Sequence, residues 1–192
     1  MFNDQMGLTR AVLNGDKTMT RRDAKLFNIN TMEKWDKEVS EEYQKKCIEQ
    51  LTQYKVGDVV AIAQNYRDVL SDLGKQGKTN GAVKAFVDCD AAGADNKMFV
   101  KADLMPHHIK ITNIRMEQLQ DISEEDCLKE GVYKVDFFFK EKGLYSFRYE
   151  NEWYEQYHTA QDAFAALIDK VSGRGTWKSN PWVFIYEFDL ID

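Results

Sequence analysis

Hydrophobic positions along this 192-residue chain change period several times. In 5–14, Met6, Arg10 and Leu13 fall near one stripe with Leu8 and Val12 beside it, and Gly15 stands where a helix would stop, so a short helix is expected. In 33–54, Trp35, Val39, Tyr43, Cys47 and Leu51 recur every fourth residue between charged ones, which predicts an amphipathic helix. A Val-Gly-Asp turn at 56–58 then leads into a buried strand over 59–63. Ile109, Ile111, Ile114 and Met116 predict a strand whose phase shifts once near Asn113, the mark of a bulge.

Further on, Ser123 can cap a helix whose first turn is acidic, with Asp126 placed to reach back, and Gly131 ends it. The aromatics of 137–149 around Glu141, Lys142 and Gly143 fit a hairpin. Thr159 with Asp162 caps another helix, with Phe164, Leu167, Ile168 and Val171 on its inner face. Trp182, Phe184, Tyr186, Phe188 and Leu190 alternate, predicting a final strand. Helices and strands interleave irregularly, so the fold class is read as α+β, with a mixed sheet or small barrel flanked by helices. The glycines and polar residues of 67–105 break the pattern. The chain is therefore read as a single domain over 1–192 with a loop-rich insertion at about 67–105, either partly structured or a flap.

Composition narrows the function. An apolar fraction of 43% excludes wholesale disorder, and no apolar run is long enough to cross a membrane, so no membrane partner is expected. The start of the chain has Asp4 and no apolar core segment, so a secretory signal is not expected. Three scattered cysteines point to free, mostly buried thiols in a reducing, cytoplasmic setting. A net charge of −6 disfavours indiscriminate duplex binding. The charge is uneven: 1–30 carries five basic against three acidic residues, whereas 117–130 carries one against six. His107 and His108 have no ligand partner at metal spacing, and no phosphate-loop or dinucleotide pattern occurs, so no metal or cofactor is expected.

The richest stretch is 15–22, Gly-Asp-Lys-Thr-Met-Thr-Arg-Arg. Lys17 and Thr20 are close enough in sequence to converge in a turn, where a hydroxyl beside an amine can act as a nucleophile with its base. Such a lysine must be desolvated or placed beside another cation to lose its proton. Arg21 and Arg22 offer fork-shaped donors for phosphate or carboxylate. A solvated basic turn would show the same residues.

This stretch, the Tyr-Lys-Val-Gly-Asp turn at 54–58, the run 111–132 and the Trp-Lys-Ser-Asn-Pro-Trp-Val end at 177–183 come in the order seen in ASCH-domain proteins. The chain thus resembles that family, part of the PUA-like β-barrel superfamily, and most of all a phage and prophage subgroup labelled morphogenetic-like. The resemblance implies a compact barrel with a cleft facing the Lys-Thr-x-Thr turn, holding single-stranded RNA, a nucleoside or a nucleotide. Small members are amidohydrolases that remove the acyl group from N4-acylated cytidine using a lysine, a threonine and a glutamate. Carried over, these are Lys17, Thr20 and Glu130, with Glu124 and Glu125 as other positions for the acid. Arg21 or a backbone amide would stabilise an oxyanion. In a binding role Arg21, Arg22 and Lys17 would hold a phosphate while Tyr66, Trp177 or Trp182 stacks on a base. The chain departs from the family at Gln64-Asn65, where an Arg-Glu pair is usual, and at Pro106-His107-His108, which replaces a Pro-Arg-Trp-like segment. A non-catalytic structural or assembly protein of phage origin is the alternative.

Overall fold

A computed structural model describes residues 2, 4–26, 39–135, 143–147 and 155–192. The architecture is mixed α+β, with a curled half-barrel antiparallel sheet flanked by helices. Four strands form this sheet in the order β1-β6-β3-β2: β1 is Met19–Asp23, β2 Val59–Ala61, β3 His108–Gln118 and β6 Trp182–Leu190. A separate pair joins β4 (Val132–Val135) to β5 (Leu144–Phe147). The turn of the expected hairpin, 136–142, lies outside the described residues.

The final strand is buried on both faces because it lies between β1 and β3 and has helices or loops above and below. Val183 and Ile185 enter one core with Met19, Leu119, Phe147, Phe164 and Leu167. Trp182, Phe184, Tyr186 and Phe188 enter a second core with Ile62, Ile109, Ile111 and Met116. The register of β3 against β6 slips between Ile111 and Asn113. This bulge reverses the phase, so Met116 returns to the face of Ile109 and Ile111.

The helices are α1 (Leu8–Leu13), α2 (Glu41–Leu51), α3 (Tyr66–Lys75), α4 (Gly81–Asp88), α5 (Glu124–Lys129), α6 (Ala160–Ser172) and α7 (Thr176–Ser179). The early part of the expected 33–54 helix, including Trp35, lies outside the described residues, and α2 is capped afresh by Ser40. The 67–105 region holds α3, α4 and a 3₁₀ turn (Ala102–Leu104) around a small core of Tyr66, Val69, Val83 and Met105. Two asparagines nucleate these helices: Asn65 Oδ1 accepts from the Asp68 amide and Asn80 Oδ1 from the Ala82 and Val83 amides. No helix among the described residues is long and apolar enough to cross a membrane.

At α5, Ser123 Oγ accepts from the Asp126 amide as expected, but the Asp126 carboxylate turns instead to two arginines. Gly131 ends the helix at φ 104°, a conformation that side chains strain to adopt. That reversal leaves Glu130 at the helix end, facing the residues just before β1. Cys47 and Cys127 are buried as expected, whereas Cys89 is exposed.

Candidate active site

Strand pairing sorts the Lys-Thr-x-Thr-Arg-Arg stretch. In β1, Met19, Arg21 and Asp23 pair across to Glu187, Ile185 and Val183, while Thr20 and Arg22 pair to Tyr186 and Phe184. Successive strand residues point to opposite faces, so Arg21 faces the α6 side and Thr20 and Arg22 face the other. Arg115 also pairs with Ile185, and Glu117 with Val183. Arg21 and Arg115 therefore flank one isoleucine on the same face.

On that face lies a cluster of seven charged side chains. The Lys17 amine donates to Glu130 Oε2 at 2.5 Å and to the Glu130 main-chain carbonyl at 2.8 Å. Both side chains are nearly sealed, at 2% and 6% exposure. Arg21 donates from Nη1 to Glu130 Oε1 (3.0 Å) and from Nη2 to Glu117 (2.7 Å) and Asp126 (3.2 Å). Arg115 bonds Glu117 and Asp126 and reaches Glu187 at 3.3 Å. Three cations thus meet four carboxylates, and each buried charge has a partner, as the cost of desolvation demands. Within the cluster, Arg21 Nε is buried without a partner among the described residues.

Burial pushes the Lys17 amine below the ordinary lysine value; Glu130 pulls it back through its charge and hydrogen bond, and Arg22 and Arg21 push it further down. Burial also opposes the charge of Arg21, but Glu130 and Glu117 outweigh it and hold the guanidinium above its usual value.

Two cavities meet at β1, an edge strand among the described residues. A small one of about 50 Å³ is lined by Lys17, Thr20, Arg21, Arg22, Glu130 and Phe164, with other apolar neighbours. It has room for a few waters or one small group. A larger one of about 850 Å³ lies on the Thr20 face, with Arg22, Tyr54, Phe184, Tyr186 and Phe188 in its wall. That volume is within the range of small-molecule sites. Thr20 and Arg22 border both. The half-buried Thr20 hydroxyl makes no hydrogen bond among the described residues, and the Lys17 amine is turned to Glu130 rather than to it.

The structure brings together Lys17, Thr20, Arg21, Arg22 and Glu130. It separates the other acids: Glu124 accepts from the Tyr145 hydroxyl at 2.5 Å, and Glu125 pairs with Lys129 on the surface. Arg21, read from sequence as an oxyanion or phosphate donor, spends both terminal nitrogens on carboxylates. Tyr66 is not at either cavity; its ring stacks on Phe86 at 5.0 Å and its hydroxyl accepts from the Lys101 amide. Trp177 packs edge-on against Phe164 and lines neither cavity. Gln64 is buried beside Met105 and Asp72, and Asn65 is a helix cap, so the two amides face neither cavity. His107 and His108 both turn to Asp192.

Arg115, Glu117, Asp126 and Glu187 were missed as site residues. The signal was present for two of them: Arg115 and Glu117 sit one strand period apart on a predicted half-buried strand. No family model matches this chain, and no curated protein and no solved structure matches it.

Proposed function

We propose that the protein is an ASCH-type, PUA-like domain that binds a nucleoside in the larger cavity and hydrolyses an N4-acyl amide of cytidine at Thr20. One observation carries this reading: a buried lysine and a buried glutamate, 2.5 Å apart, form the wall of a cavity that Thr20 also lines. The aromatic wall of the larger cavity suits a base, and Arg22 at the border suits the sugar or phosphate side.

The reaction starts from the neutral form of the Lys17–Glu130 pair, with the shared proton on Glu130. Burial weakens the hold of the Lys17 amine on its proton, which makes the neutral amine accessible. The Lys17 amine swings from Glu130 to Thr20 and takes the hydroxyl proton as Oγ1 attacks the acyl carbon. The tetrahedral adduct collapses, the carbon–nitrogen bond breaks, and Glu130 gives its proton to the leaving N4 amine. Water then attacks the acyl-threonine and passes its proton to Glu130. The Lys17 ammonium returns a proton to Thr20, which leaves as the hydroxyl. The products are cytidine and a carboxylic acid, and the pair is restored.

The same ion network also favours a second reading, in which Lys17 is a strut that ties β1 to α5 in a non-catalytic structural protein. Chromatography of N4-acetylcytidine incubated with the purified protein separates the two. Release of cytidine and acetate at a rate proportional to protein supports hydrolysis. No release, with no saturable binding of cytidine by calorimetry, leaves the structural reading.

A further inference from the structure

The cluster contains one cation that the reaction above does not use. We propose that Arg21 is a positioning residue: it clamps Glu130 so that the carboxylate presents one oxygen to Lys17 and keeps the other occupied. The inference rests on the hydrolase reading for its kinetic consequences, but its geometry stands by itself.

Three observations support it. First, Arg21 has little left to offer a ligand: of its nitrogens only Nε is without a partner, and it is buried. Its side chain is 1% exposed, its two terminal nitrogens hold Glu130, Glu117 and Asp126, and its guanidinium lies 5.7 Å over the Phe164 ring. Second, its own orientation is fixed from several sides. Glu117 on β3 and Asp126 on α5 hold Nη2, and Arg115 holds both of those acids in turn. Third, the two Glu130 oxygens are divided: Oε1 goes to Arg21 and Oε2 to Lys17. A carboxylate with a free oxygen could rotate and chelate the lysine. Divided between two donors, it cannot, and the Lys17 amine is held by a single oxygen from which it can swing to Thr20. Partners of this kind commonly change activity by roughly 10–100-fold when removed.

The charges around Lys17 give the sign of a second effect. Glu130 favours its protonated form, whereas Arg21 and Arg22 disfavour it. Beyond these, Glu117, Asp126, Arg115 and Glu187 face Arg21 or its partners. Removing the Arg21 charge takes away one repulsion and frees Glu130 to turn its charge wholly to Lys17. Both changes raise the pH at which Lys17 loses its proton.

The test compares wild type, Arg21→Gln and Arg21→Lys. In Arg21→Gln, kcat for N4-acetylcytidine is expected to fall roughly 10–100-fold with KM little changed, because Arg21 touches no substrate. The rising limb of its pH profile should move to higher pH. Arg21→Lys keeps the charge but not the fork, so its limb should stay near the wild-type position while kcat falls. An activity-independent arm follows the Lys17 side chain by NMR titration, where Arg21→Gln should titrate at higher pH than wild type. Should the glutamine variant not fold, the lysine variant decides: a lower kcat at constant KM supports the clamp, and an unchanged kcat overturns it. A folded Arg21→Gln protein with wild-type kcat and an unmoved Lys17 titration also overturns it. A wild-type protein without hydrolase activity would end the catalytic reading, leaving the NMR arm to judge the clamp.

Discussion

Replacing Lys17 by methionine tests the buried pair. Methionine nearly matches the lysine stem in volume, so little cavity cost arises. What is lost is the charge facing Glu130 Oε2 at 2.5 Å and the hydrogen bond to the Glu130 carbonyl at 2.8 Å. Removing one member of a buried ion pair costs about 3–5 kcal/mol. Arg21 still holds Oε1, which places the expected loss near the low end, about 3 kcal/mol. For a chain of this size that lowers Tm by roughly 6–12 °C. Urea unfolding followed by circular dichroism gives the free energy, and a thermal melt gives Tm. The double variant Lys17→Met with Glu130→Leu removes the stranded carboxylate, so it should melt above the single variant. It should stay below wild type, because Arg21 Nη1 then loses its carboxylate and keeps only the Met19 sulfur at 3.3 Å. A single variant as stable as wild type would show that the lysine is not buried against Glu130 at all.

Other positions give independent checks. Gly131→Ala should destabilise by about 1–2 kcal/mol in urea unfolding, because the residue sits at φ 104° and a methyl there would meet Leu8 at 3.4 Å. Asp169 accepts from the Trp177 and Gly175 amides, which hold its carboxyl below the usual value. Its contribution to stability is therefore present above the ordinary aspartate range and lost as pH falls through the depressed value; Asp169→Asn should flatten the acid limb of a Tm-against-pH curve. Burial pushes the Cys127 thiol up to about 12, and Cys47 is also buried and raised, whereas Cys89 is exposed. A thiol reagent at neutral pH should thus titrate one cysteine rapidly and two slowly, and Cys89→Ser should abolish the fast phase.

Much of the sheet was legible because its signals are local. The alternation of 182–190 and the phase slip near Asn113 both follow from a period of two, and both match β6 and the bulge in β3. The caps at Ser123 and Thr159 are likewise short-range chemistry. What was not legible depends on contacts far apart in sequence. Alternation in β6 implied one buried face, but its central place in the sheet buries Val183 and Ile185 as well. Asp126 looked like the reciprocal half of a capping box until Arg21 and Arg115, 105 and 11 residues away, claimed its carboxylate. Tyr66 and Trp177 looked like stacking candidates for a base on residue type alone. Here Gly93 packs so close to the Tyr66 ring that an added methyl would stand 2.8 Å from it, and Trp177 packs in a T-shaped pair with Phe164. The Lys17, Thr20 and Glu130 grouping came from a family resemblance, and 113 residues separate the lysine from the glutamate it binds.

The most direct measurement is the turnover of N4-acetylcytidine by wild type and by Thr20→Val, with melting curves taken side by side. The Thr20 hydroxyl has no hydrogen-bond partner among the described residues, and valine suits an edge strand, so Tm should stay within the shift produced by about 0.5 kcal/mol. The account predicts cytidine release by wild type and none above background by the folded valine variant. Equal release by both proteins would show that Thr20 is not the nucleophile and would contradict the account.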